Sequence, residues 1–276
     1  MRLREALNAA TARLEAVSDS PRLDAELLLA HALGVSREAM LLGNLDAAVP
    51  PAFAPLLARR MAHEPLAYIT GTRDFWTITL HVAPGVLIPR PDSETLIEAA
   101  LAHFGKAGPK RVLDLGTGSG ALLLAALTEW PDAGGLGIDA SVGGLAIARQ
   151  NAAALGLSDR ANFRRGNWAE GITEQFDLIL CNPPYVEAAA ALPRDVRDYE
   201  PASALFAGVD GLDDYRQIIP QLPALIAPGG IACLEIGYTQ AGAVSALVEL
   251  VGLKVQLKHD LAGHPRCLIL SAGEGA

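Results

Sequence analysis

From Lys110 onward the sequence repeats one pattern: a short apolar run, a turn, then a helical stretch. Arg111-Val112-Leu113-Asp114-Leu115 runs into a glycine-rich turn, and Ala121 to Trp130 is helical. Leu136 to Asp139 predicts a second strand, and Leu145 to Leu155 a helix closed by Gly156. Asn162 to Arg165 and Phe176 to Cys181 predict two more strands, the latter more apolar and central. Tyr215 to Ile226 is helical, disturbed by Pro220 and Pro223. Ile231 to Ile236 predicts a fifth strand and Ala241 to Val251 a helix. Lys254 to Lys258 and Arg266 to Leu270 are two last strands. Strands alternating with helices imply a mostly parallel sheet covered on both faces, an α/β fold. Ligands in such folds bind beyond the carboxyl ends of the strands.

Residues 1–64 read differently, as short amphipathic helices. Leu3, Leu7 and Leu14 recur at roughly helical spacing. Ser20-Pro21 supplies an N-cap and an N1 proline for a helix that Gly34 closes. Ser36 caps a short helix ending near Gly43, and Pro50-Pro51 precede another through about His63. This small helical domain carries no chemical motif, so structural support and substrate docking are both open for it. Residues 65–90 read as a linker with a hairpin. Phe75 to Val82 has strand character, whereas Pro84-Gly85 and Pro89-Arg90-Pro91 break regular structure. Residues 91–276 then read as the larger, α/β domain.

Composition limits the function classes. With 51% hydrophobic residues the 276-residue chain can bury a sizeable core. Its net charge of -9 is the opposite of the balance that grips nucleic-acid phosphates, so no direct nucleic-acid binding is expected. The pairs Arg59-Arg60 and Arg164-Arg165 are isolated and read as solvated surface. Cys181, Cys233 and Cys267 are widely spaced and odd in number, which predicts buried thiols rather than a disulfide framework or a metal site. The N-terminus lacks a signal-peptide apolar run, and no stretch approaches the ~20 apolar residues that span a bilayer. A cytoplasmic chain with no membrane contact is expected.

Three motifs carry chemistry. Gly116-Thr117-Gly118-Ser119-Gly120 sits where a strand becomes a helix, and its alternate glycines let the backbone pass close to a ligand. With Ala121 it also satisfies the loose dinucleotide fingerprint. Asp139 ends the next strand, where a carboxylate accepts both ribose hydroxyls of an adenosine or caps a helix. Asn182-Pro183-Pro184-Tyr185 decides between cofactors. The prolines remove two backbone donors, leaving carbonyls and the Asn182 side-chain oxygen as acceptors, and Tyr185 adds a flat aromatic face. That array suits a planar NH2 group, for which a dehydrogenase has no use.

The tetrapeptide beside the glycine loop resembles the class I methyltransferases that modify amide or exocyclic amino nitrogens. The resemblance extends along nearly the whole chain. It includes Arg22-Leu23-Asp24-Ala25-Glu26-Leu27-Leu28, Leu87-Ile88-Pro89-Arg90-Pro91-Asp92-Ser93-Glu94, Asp210-Gly211-Leu212 and Asp260-Leu261-Ala262-Gly263. These segments are similar to the peptide chain release factor glutamine methyltransferases. The Ile-Pro-Arg-Pro segment and the helical N-terminal domain separate that family from adenine methyltransferases with the same tetrapeptide.

The resemblance implies a Rossmann-like class I methyltransferase fold with a seven-stranded sheet, using S-adenosylmethionine. Gly116, Thr117, Gly118, Ser119 and Gly120 are then expected to line its methionine part and Asp139 to bind its ribose. Trp168 packs near the adenine, although from the residues alone it reads equally as a core aromatic. Asn182 meets both cofactor and substrate. With the Pro183 carbonyl it binds the target amide, and Pro184 and Tyr185 complete the substrate site. The implied partner is a release factor, methylated on the glutamine of its Gly-Gly-Gln loop. An adenine amino methyltransferase acting on DNA or RNA is the alternative, with the base flipped onto Tyr185. A binding module without chemistry is a further one.

Overall fold

In a computed structural model describing residues 1–273, the chain forms two compact units. The first comprises Met1–Thr72 with Leu192–Tyr199, the second Arg73–Ala191 with Glu200 onward. The helical segment expected to end at residue 64 thus gains one more short helix, and a later segment joins it.

In the first unit, α1 (Leu3–Leu14), α2 (Pro21–Leu33), α3 (Arg37–Leu42), α4 (Phe53–Met61) and α5 (Leu66–Thr70) surround one apolar cluster. Ser36 caps α3 by accepting the Ala39 N–H, and Gly34 ends α2 in the left-handed region at φ 69°. Arg60 overturns the surface expectation for the Arg59-Arg60 pair. Phe53, Leu57 and Arg60 share the inward face of α4, and Arg60 is buried against Asp24 at 2.7 Å. Its spacing of three from Leu57 places it there, and the partner carboxylate satisfies its charge. Arg59 pairs with Glu64 nearer the surface, and Arg164 and Arg165 are exposed.

From Arg73 the second unit opens with the rest of β1 (Thr72–Phe75) and with β2 (Ile78–His81), a two-stranded sheet. The pair lies within residues 65–90, where the sequence reads as a linker with a hairpin, but the strand read over Phe75 to Val82 is broken by a turn. The turn at Trp76-Thr77 was hidden because Trp76 itself takes φ 56° and no glycine or asparagine announces it. Next come α6 (Glu94–Phe104), β3 (Arg111–Leu115), α7 (Ala121–Glu129), β4 (Gly134–Asp139), α8 (Val142–Ala154), β5 (Ala161–Arg165) and β6 (Phe176–Cys181). After α9 (Arg194–Tyr199), which belongs to the first unit, follow α10 (Asp213–Ile218), α11 (Leu222–Leu225), β7 (Ile226–Glu235), α12 (Ala241–Leu250), β8 (Leu253–His259) and β9 (Pro265–Ala272). Helix α6 was not anticipated. A 3-10 turn breaks the expected Tyr215–Ile226 helix between α10 and α11, where Pro220 sits.

The sheet order is β5-β4-β3-β6-β7-β9-β8, parallel throughout except for β9. This is a doubly wound, Rossmann-like sheet of seven strands. Period-2 alternation feeds its two faces. Val112, Leu178 and Leu180 join a cluster with residues of α6 and α7, while Leu113, Ile179 and Cys181 join one with α10, α11 and α12. The chain runs outward from β3 through β4 to β5, then returns to β6 on the other side of β3. That reversal opens a crevice at the carboxyl ends of β3 and β6. Buried Asn151 on α8 fastens the hairpin beside it. Its Oδ1 accepts the His81 N–H at 2.7 Å, and its amide donates to His81 O at 3.0 Å and Ser119 O at 2.9 Å.

Candidate active site

Leu115 and Cys181 are register partners, so the residues that follow them begin side by side. Gly116-to-Gly120 leaves β3, and Asn182-to-Tyr185 leaves β6. Between them and the end of β4 lies a cavity of about 310 Å³. Gly116, Thr117, Gly118, Ser119, Asp139, Trp168, Asn182 and Pro184 stand on its wall. Gly120, Pro183 and Tyr185 stand outside it. A Cβ at Gly120 would meet Leu124 at 3.0 Å and Ala148 at 3.3 Å, so packing of α7 on α8 accounts for that glycine.

The glycine loop is held by main-chain bonds. Gly116 and Thr117 both donate N–H to Ile138 O at 2.9 Å. Asp139 Oδ2 accepts the Gly118 N–H, and its Oδ1 accepts the Ser141 N–H, both at 2.7 Å. Ser141, not Asp139, caps α8, by accepting the Gly144 N–H at 3.1 Å. Asp139 therefore ties the loop to β4, with a lone pair spare on each oxygen. The Gly143-Gly144 pair, which reads as a loose helix start, lies inside the first turn of α8. A Cβ at Gly144 would lie 3.3 Å from the Gly118 carbonyl. Small size there lets the helix approach the loop.

Trp168 adopts φ 48° and turns its ring toward the loop, with a Cβ at Gly116 falling 3.1 Å from its Cζ3. Beside it, burial raises the Asp214 carboxyl and the Trp168 side chain draws it back down.

Several residues to which the sequence assigns no role also belong to the site. Asp114 is buried at the cavity wall. Its Oδ2 accepts the Thr117 hydroxyl at 2.6 Å, and its Oδ1 has no hydrogen-bond partner. Burial pushes its carboxyl up to about 7, with the nearby Asp139 charge adding to the rise. Glu200 is also buried. It accepts the Ile88 N–H at 3.1 Å and the Arg90 guanidinium, pinning the Leu87-to-Arg90 wall beside Pro201 and Ser203. Ser93 accepts the Asn182 amide N–H at 3.0 Å, and Glu235 accepts the Tyr185 hydroxyl at 3.2 Å. Ser93 and Asn182 lie 89 residues apart, so no local pattern links them. A buried acid ending an apolar strand, as Glu235 does in Cys233-Leu234-Glu235-Ile236, was the one signal available for that pair.

Among the described residues no helix is long and apolar enough to cross a membrane, and all three cysteines are free and buried.

Comparison with known proteins bears on what this site serves. Residues 5–71 match the PrmC N-terminal domain and residues 90–197 the methyltransferase small domain. A release factor glutamine methyltransferase of Rhodospirillum rubrum is 47% identical, over 91% of this chain and 79% of that protein. One from Cereibacter sphaeroides is 44% identical, over 96% of this chain and 97% of that protein. Among solved structures, the hMettl16 catalytic domain in complex with MAT2A 3'UTR hairpin 6 superposes with a TM-score of 0.58. It is 16% identical and covers 80% of this chain and 83% of its own, a likeness of fold alone. With relatives this similar over nearly its full length, the chain belongs to the release factor glutamine methyltransferase family.

Proposed function

We infer that this enzyme transfers the methyl group of S-adenosylmethionine to the side-chain amide nitrogen of a release-factor glutamine, the one in the Gly-Gly-Gln loop. The observation that carries the reading is the register of β3 and β6, which starts the glycine loop and the tetrapeptide at one cavity.

The residues present fit the cofactor. The unpartnered Asp114 Oδ1 offers a buried acceptor for an ammonium group, and the bare Cα of Gly116 leaves room beneath Trp168. In this assignment Gly116 to Gly120 hold the methionine part, the spare lone pairs of Asp139 take the ribose hydroxyls, and Trp168 packs near the adenine. Gly120 contributes by shaping the loop rather than by contact. When bound, the cofactor supplies a methyl group already made electrophilic by its sulfonium.

The protein's task is the nucleophile. An amide nitrogen shares its lone pair with the carbonyl and attacks poorly. The Asn182 Oδ1 and the Pro183 carbonyl accept its two N–H bonds and turn the nitrogen toward the cavity, while Pro184 and Tyr185 hold the amide plane. Positioning of this kind supplies up to ~7–11 kcal/mol in ideal cases. Accepting those protons also favours the positive charge that develops on nitrogen, the inverse of an oxyanion hole. The helical first unit helps hold the release factor, and the enzyme works in the cytoplasm without gripping nucleic acid directly.

The test is incubation with labelled S-adenosylmethionine and unmethylated release factor, with DNA in parallel, followed by mass spectrometry. Label on the Gly-Gly-Gln glutamine, absent from a Gln→Ala substrate, supports the reading. Label on adenine overturns the substrate.

A further inference from the structure

Helix α12 starts on a residue that breaks the usual rule for helix starts. Gln240 stands at its N-cap, where a short oxygen-bearing side chain ordinarily accepts from the first turn. The Gln240 side chain makes no such bond. Its main chain is fixed all the same. The Gln240 N–H donates to Gly237 O at 2.8 Å, and its carbonyl accepts the Val244 N–H at 2.9 Å. Val244 and Val248 anchor the helix in the apolar cluster that also holds Ile236. A long side chain on a rigid base is thus left to serve something other than its own helix.

That side chain meets the tetrapeptide. Gln240 Nε2 donates to Tyr185 O at 3.0 Å and to Gly211 O at 3.3 Å, and its Oε1 accepts the Gly237 N–H at 3.1 Å. Both amide protons and the amide oxygen are engaged. A carboxylate of the same shape would have no proton for either carbonyl. Two glycines make room for the contact. At Gly211, which has φ 69°, a Cβ would stand 2.3 Å from Tyr185 O and 2.7 Å from Gln240 Nε2. At Gly237 it would stand 2.8 Å from Gln240 Oε1 and 3.4 Å from Tyr185 Cδ2. The Asp210-Gly211-Leu212 segment therefore owes its glycine to the close approach of Tyr185 and Gln240.

Tyr185 is tethered at three points. Its hydroxyl donates to Glu235 at 3.2 Å. Burial, and then the Glu235 charge, push that hydroxyl well above the ordinary tyrosine value, so it keeps its proton. Its carbonyl is held by Gln240. The residues that follow pair with Leu205 to Gly208. The Val186 N–H donates to Leu205 O and the Ala207 N–H to Val186 O, each at 2.9 Å, and the Ala188 N–H donates to Gly208 O at 2.8 Å. With both ends of one residue tied down, its ring plane has little freedom.

We propose that Gln240 is a positioning residue for methyl transfer: from the rigid start of α12 it fixes the main chain of Tyr185, and so the ring that holds the target amide plane. The proposal rests on the reading of Tyr185 as the residue beside that amide. Gln240 itself touches neither substrate nor cofactor, so its removal should spoil alignment and leave cofactor binding intact.

The experiment measures kcat, KM for the release factor, cofactor affinity and melting temperature in the wild type, Gln240→Glu, Gln240→Met, Gly237→Ala, Tyr185→Ala and the Gln240→Glu/Tyr185→Ala double variant. Gln240→Glu keeps the shape but sets a carboxylate against two carbonyls. It should lower kcat by roughly 10- to 100-fold, the scale of a misplacement of about 1 Å at the reacting group. Cofactor affinity should stay within about twofold. Gln240→Met keeps the length without the repulsion and should lose less. Gly237→Ala needs no unusual backbone but pushes on the Gln240 amide, and should lose a few-fold in kcat. The double variant should be no worse than Tyr185→Ala alone, because Gln240 acts through Tyr185. Gly237→Ala also keeps the test alive if Gln240→Glu does not fold. Wild-type kcat in a folded Gln240→Glu, cofactor affinity that falls as far as turnover, or losses that multiply in the double variant overturn the proposal. Wild-type turnover in Tyr185→Ala overturns the reading of Tyr185 on which it rests. A wild-type protein that leaves the glutamine unmethylated overturns the proposed function itself.

Discussion

The two ends of the crevice are built from different materials. At the β3–β4 end the wall is main chain: glycines, backbone N–H groups bonded to Ile138 O, and one carboxylate that itself grips backbone. At the β6–β7 end it is side chains in two part-buried hydrogen-bonded pairs, Asn182 with Ser93 and Tyr185 with Glu235. The main-chain wall faces the methionine and ribose parts of the cofactor in the proposed assignment, which are not themselves transferred. Side-chain pairs can be directed, and suit the partner whose charge changes. The difference teaches that damage at one end should appear in binding and at the other in turnover.

The sharpest test of that division is Asn182→Ala. Turnover should drop roughly 10²–10³-fold, as when one electrostatic contact to a transition state is lost. Cofactor affinity measured by calorimetry should change far less. Full turnover in a folded variant breaks the comparison at its acceptor end. Asp139→Ala should act in the opposite sense, weakening cofactor binding roughly 10- to 100-fold while kcat at saturation holds. An equal loss in kcat would mean the two ends are not separable.

Gly116→Ala is a milder probe of the main-chain end. The position has φ 74° and a new Cβ would stand 3.1 Å from the Trp168 ring. A loss of about 1 kcal/mol in stability and a few-fold weaker cofactor binding are expected, read from thermal melts with and without cofactor.

Stability against pH is a further probe, and both ends contribute. Asp114 and Glu235 are each raised to about 7 in the folded protein. Between roughly pH 4 and pH 7 the folded state therefore keeps protons that the unfolded chain releases. Stability from these two groups falls as pH rises through that window and levels off above it. The melting temperature of the cofactor-free protein should be several degrees lower at about pH 8 than at about pH 5.5. Asp114→Asn or Glu235→Gln should each flatten part of that slope, and an unchanged slope would remove that residue from the account.

Local pattern made the main-chain end readable in the sequence. A strand, alternate glycines, a helix and a carboxylate one strand later are all written within about thirty consecutive residues. The tetrapeptide was readable for the same reason, since its chemistry is contiguous. What supports it was not. Ser93 meets Asn182 across 89 residues, Tyr185 meets Glu235 across 50, and Glu200 meets Ile88 across 112. Such pairs exist only once the sheet order is set. Arg60 was misread because its charge argued for the surface while its helical spacing argued for the interior. The helix over Glu94–Phe104 was missed behind the proline-rich segment that precedes it.

Asn151 carries a consequence for chemical ageing. Its amide spends both of its protons on carbonyls, those of His81 and Ser119, and its oxygen on the His81 N–H. Hydrolysis of that side-chain amide, in which water adds and ammonia leaves for a net gain of about one mass unit, would leave a buried acid facing two carbonyl oxygens with nothing to donate to one of them. The hairpin and the glycine loop would then be pushed apart by the residue that had joined them. An aged preparation should lose cofactor affinity in proportion to the deamidated fraction at this position, with the rest of the sheet intact.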